Sequence, residues 1–97
     1  MAKKYLFKLY ISSRSFGNKR ICENLKSILD EKLKDQYYSL EIIDITEDPA
    51  FVLKVNVFST PALVRQIPSP PSTVVGNFLD REKLSAAVEI LIMQIKG

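Results

Sequence analysis

Cys22 is the first side chain to consider for chemistry. It is the single cysteine of this 97-residue chain, which has no histidine. A thiol becomes a redox nucleophile when its pKa is lowered at the amino end of a helix, usually within a Cys-x-x-Cys motif. Cys22 instead follows the apolar Ile21 inside a predicted helix, and the preceding loop, residues 12–15, holds serines and an arginine. We therefore interpret Cys22 as a partly buried small apolar residue.

Other catalytic arrangements each lack a necessary member. Without histidine there is no Cys-His or Ser-His pair and no imidazole ligand for a metal. Glu47 and Asp48 are adjacent carboxylates, but Pro49 follows them, and this combination is typical of a helix start. Three scattered glycines leave no phosphate-binding loop. We predict that the chain is not an enzyme and binds neither a cofactor nor a metal.

Composition favours a packed protein and argues against two classes of partner. Hydrophobic residues make up 46% of the chain, and the net charge is +3. The charges are mixed along the predicted first helix, whereas a nucleic-acid surface has clustered basic residues with interleaved aromatics. No apolar segment approaches the ~20 residues that cross a bilayer, and the first residues lack a signal peptide's apolar stretch. We expect one domain, residues 1–97, located in the cytoplasm and binding neither nucleic acid nor membrane.

Hydrophobic periodicity predicts the elements that must position any binding residues. Strands are predicted at Tyr5–Ile11, Ser39–Ile45, Pro61–Ile67 and Ser72–Phe78. The first strand should be central because both of its faces are apolar. A helix follows it, so the first two strands should be parallel. The apolar stripe of that helix is Ile21, Leu25, Ile28, Leu29 and Leu33.

Helix ends and turns are predicted from local signals. Ser15 or Asn18 could cap the first helix, Asp48-Pro49 opens a second, and Asp80 caps the last. The buried stripe of the last helix is predicted to be Leu84, Ala87, Val88, Leu91, Ile92 and Ile95. Residues 68–71 form a proline-rich rigid connector. Gly76-Asn77 should take a positive-φ or bulged conformation.

The resulting order, β-α-β-α-β-β-α with a four-stranded mixed sheet, is that of a minimal thioredoxin-like α/β fold. The pair Thr60-Pro61 at the start of the third strand strengthens this prediction. In that fold a proline stands there in the cis form, facing the loop after the first strand. We expect Pro61 to be cis, although X-Pro bonds are cis only about one time in twenty in folded proteins.

Four segments add a family resemblance through their order and spacing. They are Lys8–Ile11 with Leu25–Leu29; Leu40–Ile45 followed by Asp48-Pro49; Ser59–Leu63 with Pro68, Pro70 and Pro71; and Val74–Asn77 with Arg81–Lys83. Together they resemble the KaiB family of circadian clock proteins, over nearly the whole chain and without a gap. The sensor domain of the kinase SasA is a close relative of that family.

The resemblance implies a regulatory protein without enzymatic activity. Members of the family interconvert between a thioredoxin-like fold and a different α/β fold that assembles as a tetramer, so that second fold is the alternative for this chain, with a homodimer or homotetramer as possible assemblies. In the thioredoxin-like form they bind the hexameric ATPase KaiC and help to time its phosphorylation cycle. The residues that would contact such a partner are Lys8, Tyr10, Arg20, Glu41 and Asp44. The residues that would set the fold are Pro61, Pro70, Pro71, Gly76, Ala87 and Glu89.

The chain departs from the family pattern on its surface. Arg14–Gly17 replaces a polar Asn-Thr-Pro stretch, and Ser72-Thr73 replaces a basic pair. Glu41 replaces a lysine of the partner-facing surface, whereas Arg20 matches a basic position. A reversed charge at an interface can cost several kcal/mol. The alternative function is therefore a diverged paralogue that binds another protein, for instance in stress adaptation, without a clock role; a cysteine-dependent oxidoreductase is the third class.

Two further departures bear on the choice of fold. Ala87 stands where the family has glycine, and Glu89 stands where it has aspartate. Alanine is favoured over glycine in a helix by roughly 0.8–1 kcal/mol, and glutamate is a better helix former than aspartate. The opposing signal is the apolar run Glu89–Ile95, which would also serve as a buried strand. On balance we predict that this chain favours the thioredoxin-like form more than other family members do.

Overall fold

One mixed sheet with helices packed on it organises the protein. The structure is a computed structural model and describes residues 4–34, 36–47, 50 and 60–93. Its elements are β1 (Lys4–Ile11), α1 (Asn18–Lys32), β2 (Tyr37–Asp44), β3 (Ala62–Ile67), β4 (Ser72–Val75) and α2 (Arg81–Met93). The strands lie in the order β2-β1-β3-β4, with β1 and β2 parallel and the other pairs antiparallel. The helix predicted to open at Asp48-Pro49 lies outside the described residues.

β1 lies inside the sheet, as its two apolar faces predict. Phe7 and Leu9 are fully buried against the apolar stripes of both helices. Those stripes are Ile21, Leu25, Ile28 and Leu29 of α1 and Leu84, Ala87, Val88 and Leu91 of α2. On the opposite face Tyr10 packs with Ala62 and Val64 in a second, smaller cluster. β1 is thus an inner strand with buried residues on both of its faces.

The ends of the two helices are built differently. Asp80 caps α2 as predicted, because its Oδ1 accepts hydrogen bonds from the backbone N–H groups of Glu82 at 2.9 Å and Lys83 at 3.3 Å. The predicted side-chain cap of α1 is wrong. The N-cap is Gly17 in the left-handed region (φ 84°), and no side chain bonds to the helix start. Asn18, the first helical residue, instead donates its side-chain amide to the carbonyl of Ser12 at 2.9 Å.

The proline and glycine predictions for the second half of the chain have mixed outcomes. The Thr60-Pro61 bond is cis, as expected, and so are Ile67-Pro68 and Ser69-Pro70. Gly76, however, does not have a positive φ, and it follows the end of β4. The irregular pairing lies elsewhere, between Leu6 and Phe7 where β1 meets β3. Gly76 closes a short turn instead, since its carbonyl accepts a hydrogen bond from the N–H of Phe78 at 3.0 Å.

The two glycines therefore predict opposite responses to alanine. At Gly17 an added Cβ would lie 2.3 Å from Leu79 Cδ2 with φ at +84°, whereas at Gly76 it would meet only the Phe78 ring at 3.7 Å. We expect Gly17→Ala to lower the free energy of unfolding by about 1–2 kcal/mol, because an L-residue is strained in the left-handed region. Gly76→Ala should change it by less than about 0.5 kcal/mol. Urea denaturation of both variants checks this, and equal losses would contradict the assigned conformations.

Candidate functional site

Lys8 and Glu41 lie side by side on one face of the sheet. The parallel register pairs Lys8 with Glu41, and Tyr10 with Ile43 on the same face. Lys8 is half-buried on the inner strand β1, while Glu41 is exposed on the edge strand β2. A positive and a negative side chain are therefore presented together on the face opposite the two helices. We refer to Lys8, Glu41 and Tyr10, which lies two residues along β1 on the same side of the sheet, as the β2 face.

Tyr10 forms the apolar floor of the β2 face. Only 3% of it is exposed, and it packs on Ala62 and Val64. Burial raises the pKa of its hydroxyl, and the negative charge of Glu41 raises it further. Tyr10 is thus protonated at neutral pH, and it can influence a partner through its support of the face.

Asp44 ties the end of β2 to the loop that follows β1. Its Oδ1 accepts hydrogen bonds from the Thr46 hydroxyl at 2.5 Å, the Thr46 N–H at 2.9 Å and the Ser13 N–H at 3.3 Å. The hydroxyls of Ser13 and Thr46 also bond to each other at 2.7 Å. These hydrogen bonds, led by that of the Thr46 hydroxyl, lower the pKa of the Asp44 carboxyl. Asp44 therefore shapes the loop that follows β1, and its register with Ile11 places it on the helix-covered side of the sheet rather than on the β2 face.

Arg20 is separate from the β2 face. It is exposed in the first turn of α1, and α1 packs on the opposite face of the sheet, against Phe7 and Leu9. Of the predicted partner-contacting residues, the structure groups Lys8, Tyr10 and Glu41 and leaves Arg20 on the other side. One flat contact with a partner cannot include both groups.

The residues predicted to set the fold all lie in the second half of the chain. Pro61 lies at the start of β3, and Pro70 and Pro71 form the connector between β3 and β4. Ala87 is 3% exposed in the core. The Glu89 carboxylate reaches across to α1 and pairs with Lys32 Nζ at 2.6 Å. Glu89 thus joins the two helices, and Ala87 packs α2 into the core.

Arg65 belongs with them, although its role was not predicted from sequence. It is 1% exposed on the core face of β3. Its Nε donates to the carbonyl of Pro68 at 3.1 Å and its Nη2 to that of Pro70 at 2.6 Å. Its Nη1 donates to the carbonyl of Leu91 in the last turn of α2, where helix carbonyls lack internal partners. The sequence carried one indication of this role. Arg65 stands two residues after Leu63 in a predicted strand, so both side chains should point to the core-facing side.

An open cavity of about 240 Å³ lies where β1 ends. Its walls include Ile11, Phe16, Ile21, Pro61, Phe78 and Leu79. Ser12 and Ser15 occupy the loop position where a redox cysteine would be expected, and they line the same cavity. Cys22 is half-buried in α1, and burial is the main cause that raises the pKa of its thiol. A raised pKa disfavours the thiolate, which agrees with the interpretation of Cys22 as a packing residue.

Within residues 4–34, 36–47, 50 and 60–93, no three histidine, cysteine or carboxylate side chains are grouped so that they could hold a metal ion. Neither α1 nor α2 is long and apolar enough to cross a membrane.

Comparisons with known proteins match both the sequence pattern and the geometry. The KaiB domain family model matches residues 8–90. The chain is 30% identical over 94 residues to the circadian clock oscillator protein KaiB of Microcystis aeruginosa (strain NIES-843 / IAM M-2473), covering 97% of this chain and 89% of that protein. The same figures hold for the circadian clock oscillator protein KaiB of Rippkaea orientalis (strain PCC 8801 / RF-1).

Solved structures confirm the thioredoxin-like fold. The N-terminal domain of Synechococcus elongatus SasA superposes with a TM-score of 0.75 at 22% identity, over 100% of this chain and 90% of that one. The germline-specific thioredoxin Deadhead of Drosophila melanogaster superposes with a TM-score of 0.67 at 19% identity, over 92% and 82%. At these identities the likeness concerns the fold alone.

Proposed function

Because the chain belongs to the KaiB family, we propose that it is a clock-type regulatory protein that binds a KaiC-like hexameric ATPase in the cytoplasm and modulates its phosphorylation cycle, without enzymatic activity of its own. The observation that carries this proposal is the match of the family model over residues 8–90. That match includes the β2 face, the buried stripe of α1, the proline connector and the stripe of α2 as far as Val88. On this proposal residues 1–97 act as one domain.

The geometry supports a role in binding. The β2 face combines a charged pair with an apolar floor at the edge of a sheet. Charged groups around an apolar centre favour recognition of a complementary protein surface, because the charges select the partner and orient it. The raised pKa of Cys22 argues against the oxidoreductase alternative, since the thiol lacks the activation that redox chemistry needs.

Glu41 favours a second candidate, a diverged paralogue whose partner is another protein, for instance in stress adaptation. The side chain is exposed on β2 beside Lys8, at a position where the family resemblance leads us to expect a lysine. A partner built to face a positive charge there would meet a negative one. The ATPase of this chain's own organism must therefore carry a compensating charge, or the partner is a different protein.

We expect Glu41→Lys to exchange partner preference. The variant should bind the KaiC of Microcystis aeruginosa about tenfold more tightly than the unmodified chain does, and its own organism's KaiC-like ATPase about tenfold more weakly, which corresponds to about 1.4 kcal/mol in each direction. Biolayer interferometry against both ATPases measures this. Glu23→Lys is the matched control. It makes the same charge change at an exposed position of α1, on the opposite side of the sheet from Glu41.

The outcomes separate the two candidates. Binding of the organism's own ATPase with the expected exchange supports the clock-type role and places Glu41 in the contact. If neither ATPase binds the unmodified chain or the variant, the KaiC-binding proposal is wrong and the paralogue is favoured. If both ATPases bind and Glu41→Lys behaves like Glu23→Lys, the contact lies away from the β2 face.

A further inference from the structure

The cavity at the end of β1 is a groove with apolar walls that opens to solvent. We call it the Phe16 groove. Ile11 and Ile21 line it between the sheet and α1, and Pro61 and Leu79 line it from the second half of the chain. Its volume of about 240 Å³ suits a large apolar side chain rather than a whole ligand molecule. It is separate from the β2 face, because Ile21 and Phe78 belong to the core on the other side of the sheet.

Phe16 stands on the rim of this groove and is 86% exposed. The loop that carries it is nevertheless held in place on both sides. The Ser15 N–H donates to the carbonyl of Ser12 at 3.0 Å, and the Asn18 amide bonds to the carbonyls of both serines. Gly17 packs closely against the Leu79 side chain, which would have to shift to admit a Cβ. A rigid loop that presents an exposed aromatic loses little entropy on binding, and such residues are frequent anchors of protein interfaces.

The segment that carries Phe16 is basic, whereas Asp80, which follows the wall residue Leu79, is engaged in capping α2. Arg14, Lys19 and Arg20 are all exposed, and residues 12–20 contain no acidic side chain. The first turn of α1 holds no acidic residue, so Lys19 and Arg20 lie against the positive end of the helix dipole. That placement disfavours folding and is explained if the charges serve binding. The Asp44 carboxylate, tied to this loop, already accepts several hydrogen bonds from Ser13 and Thr46.

We propose that the Phe16 groove docks an acidic protein segment, which inserts one large apolar side chain beside Phe16 and places flanking carboxylates near Arg14, Lys19 and Arg20. The apolar walls select the inserted side chain, and the basic rim selects its acidic neighbours. This inference goes beyond the proposed function. It concerns a second surface, on the opposite side of the sheet from Lys8 and Glu41, and it does not depend on the identity of the ATPase.

Peptide selection tests the proposal with the full chain. Random 12-residue peptides displayed on phage are selected on the immobilised protein, and the enriched peptides are then synthesised. We expect them to share an aromatic or leucine residue flanked by aspartate or glutamate. Backbone amide shifts on addition of such a peptide should concentrate in residues 12–20 and 77–79. Phe16→Ser should weaken its binding at least tenfold, and Arg14→Glu at least fivefold, by titration calorimetry.

Two control variants make the result specific. Tyr37→Ser removes an aromatic side chain that is 75% exposed at the other end of the sheet, and it should change peptide affinity less than twofold. Glu41→Lys should leave peptide affinity unchanged, because Glu41 lies on the β2 face. Failure of the ATPase proposal can therefore be distinguished from failure of the peptide-docking proposal. Phe16 and Arg14 are exposed, and an unchanged circular dichroism spectrum checks that both variants fold.

Three results would overturn the proposal. One is that no peptide is enriched over a blank surface. Another is that the enriched peptides carry no excess of acidic residues or bind Phe16→Ser as tightly as the original chain. The third is that a 12-nucleotide poly-uridine RNA shifts the amides of residues 12–20 while the acidic peptides do not, which would assign the basic rim and Phe16 to single-stranded RNA instead.

Discussion

Replacing Arg65 by methionine is expected to lower the free energy of unfolding by about 3–5 kcal/mol. The guanidinium donates to the carbonyl of Leu91 in a buried hydrogen bond, and to the carbonyls of Pro68 and Pro70 in partly buried ones. Methionine fills much of the space but donates no hydrogen bond, so all three carbonyls lose their charged partner. Each unsatisfied buried polar group costs about 1–3 kcal/mol. The loss should also loosen the contact between the proline connector and the end of α2.

Urea denaturation of the Arg65→Met protein measures this loss, with Arg81→Met as the matched control. Arg81 makes its contacts at the surface, to Asn24, Ser27 and, at 3.7 Å, Glu31. Surface contacts of this kind contribute about 0–1 kcal/mol, so the control should lose no more than that. Arg65→Lys should fall between the two, because one ammonium group cannot reproduce the guanidinium fork. Equal losses for Arg65→Met and Arg81→Met would contradict the role given to Arg65.

Replacing Ala87 by glycine is expected to cost the thioredoxin-like fold about 2 kcal/mol. Glycine loses about 1 kcal/mol in a helix interior relative to alanine, and the buried methyl group contributes about 0.8 kcal/mol. Ala87 meets both conditions, since it lies within α2 and is 3% exposed. We propose that this residue, together with the ion pair of Glu89 and Lys32, holds the chain in the thioredoxin-like form. If a second fold lies within a few kcal/mol, the substitution should raise its population by more than tenfold.

Amide NMR spectra and sizing chromatography of Ala87→Gly check both parts of this prediction. A second set of amide peaks, or a shift toward a larger oligomer, is the expected result. Ala86→Gly is the control on the same helix, where the side chain is exposed and only helix propensity, about 1 kcal/mol, is lost. If Ala87→Gly shows one set of peaks and the same oligomer as the original chain, Ala87 does not set the choice of fold.

Patterns carried within a short segment predicted much of the fold correctly. The two apolar faces of β1 predicted that it lies inside the sheet, which the structure confirms. The helix between the first two strands predicted that they are parallel, and they are. Asp80 caps α2 because a cap is a contact with residues two and three positions away. The cis form of the Thr60-Pro61 bond was expected from the thioredoxin-like order of elements. Each of these features depends on spacing that is visible in the sequence.

The features that sequence missed depend on contacts between distant segments. The N-cap of α1 is Gly17 in the left-handed region, and it packs against Leu79, far along the chain. The guanidinium of Arg65 donates to backbone carbonyls of the connector and of α2. Every residue has a backbone carbonyl, so residue types do not show which ones will lie beside Arg65. The exposure of Phe16 likewise follows from the folded loop.

The candidate site likewise has one feature that sequence could predict and one that it could not. The adjacency of Lys8 and Glu41 follows from the parallel register of two predicted strands. The separation of Arg20 from this pair could not be read from the sequence, because it depends on which face of the sheet α1 covers. The residues named from the family resemblance therefore form two surfaces rather than one.

Binding of this KaiB-family chain to a KaiC-like ATPase, as proposed above, is tested by mixing the two proteins from the same organism. The chain is incubated overnight with the hexameric ATPase and ATP, then analysed by sizing chromatography with light scattering, while phosphorylation of the ATPase is followed in parallel. We expect a complex with up to one chain per ATPase subunit, because a symmetric hexamer offers equivalent surfaces. We also expect an altered rate of phosphorylation. Separate elution after the full incubation, with unchanged phosphorylation, would contradict the proposal.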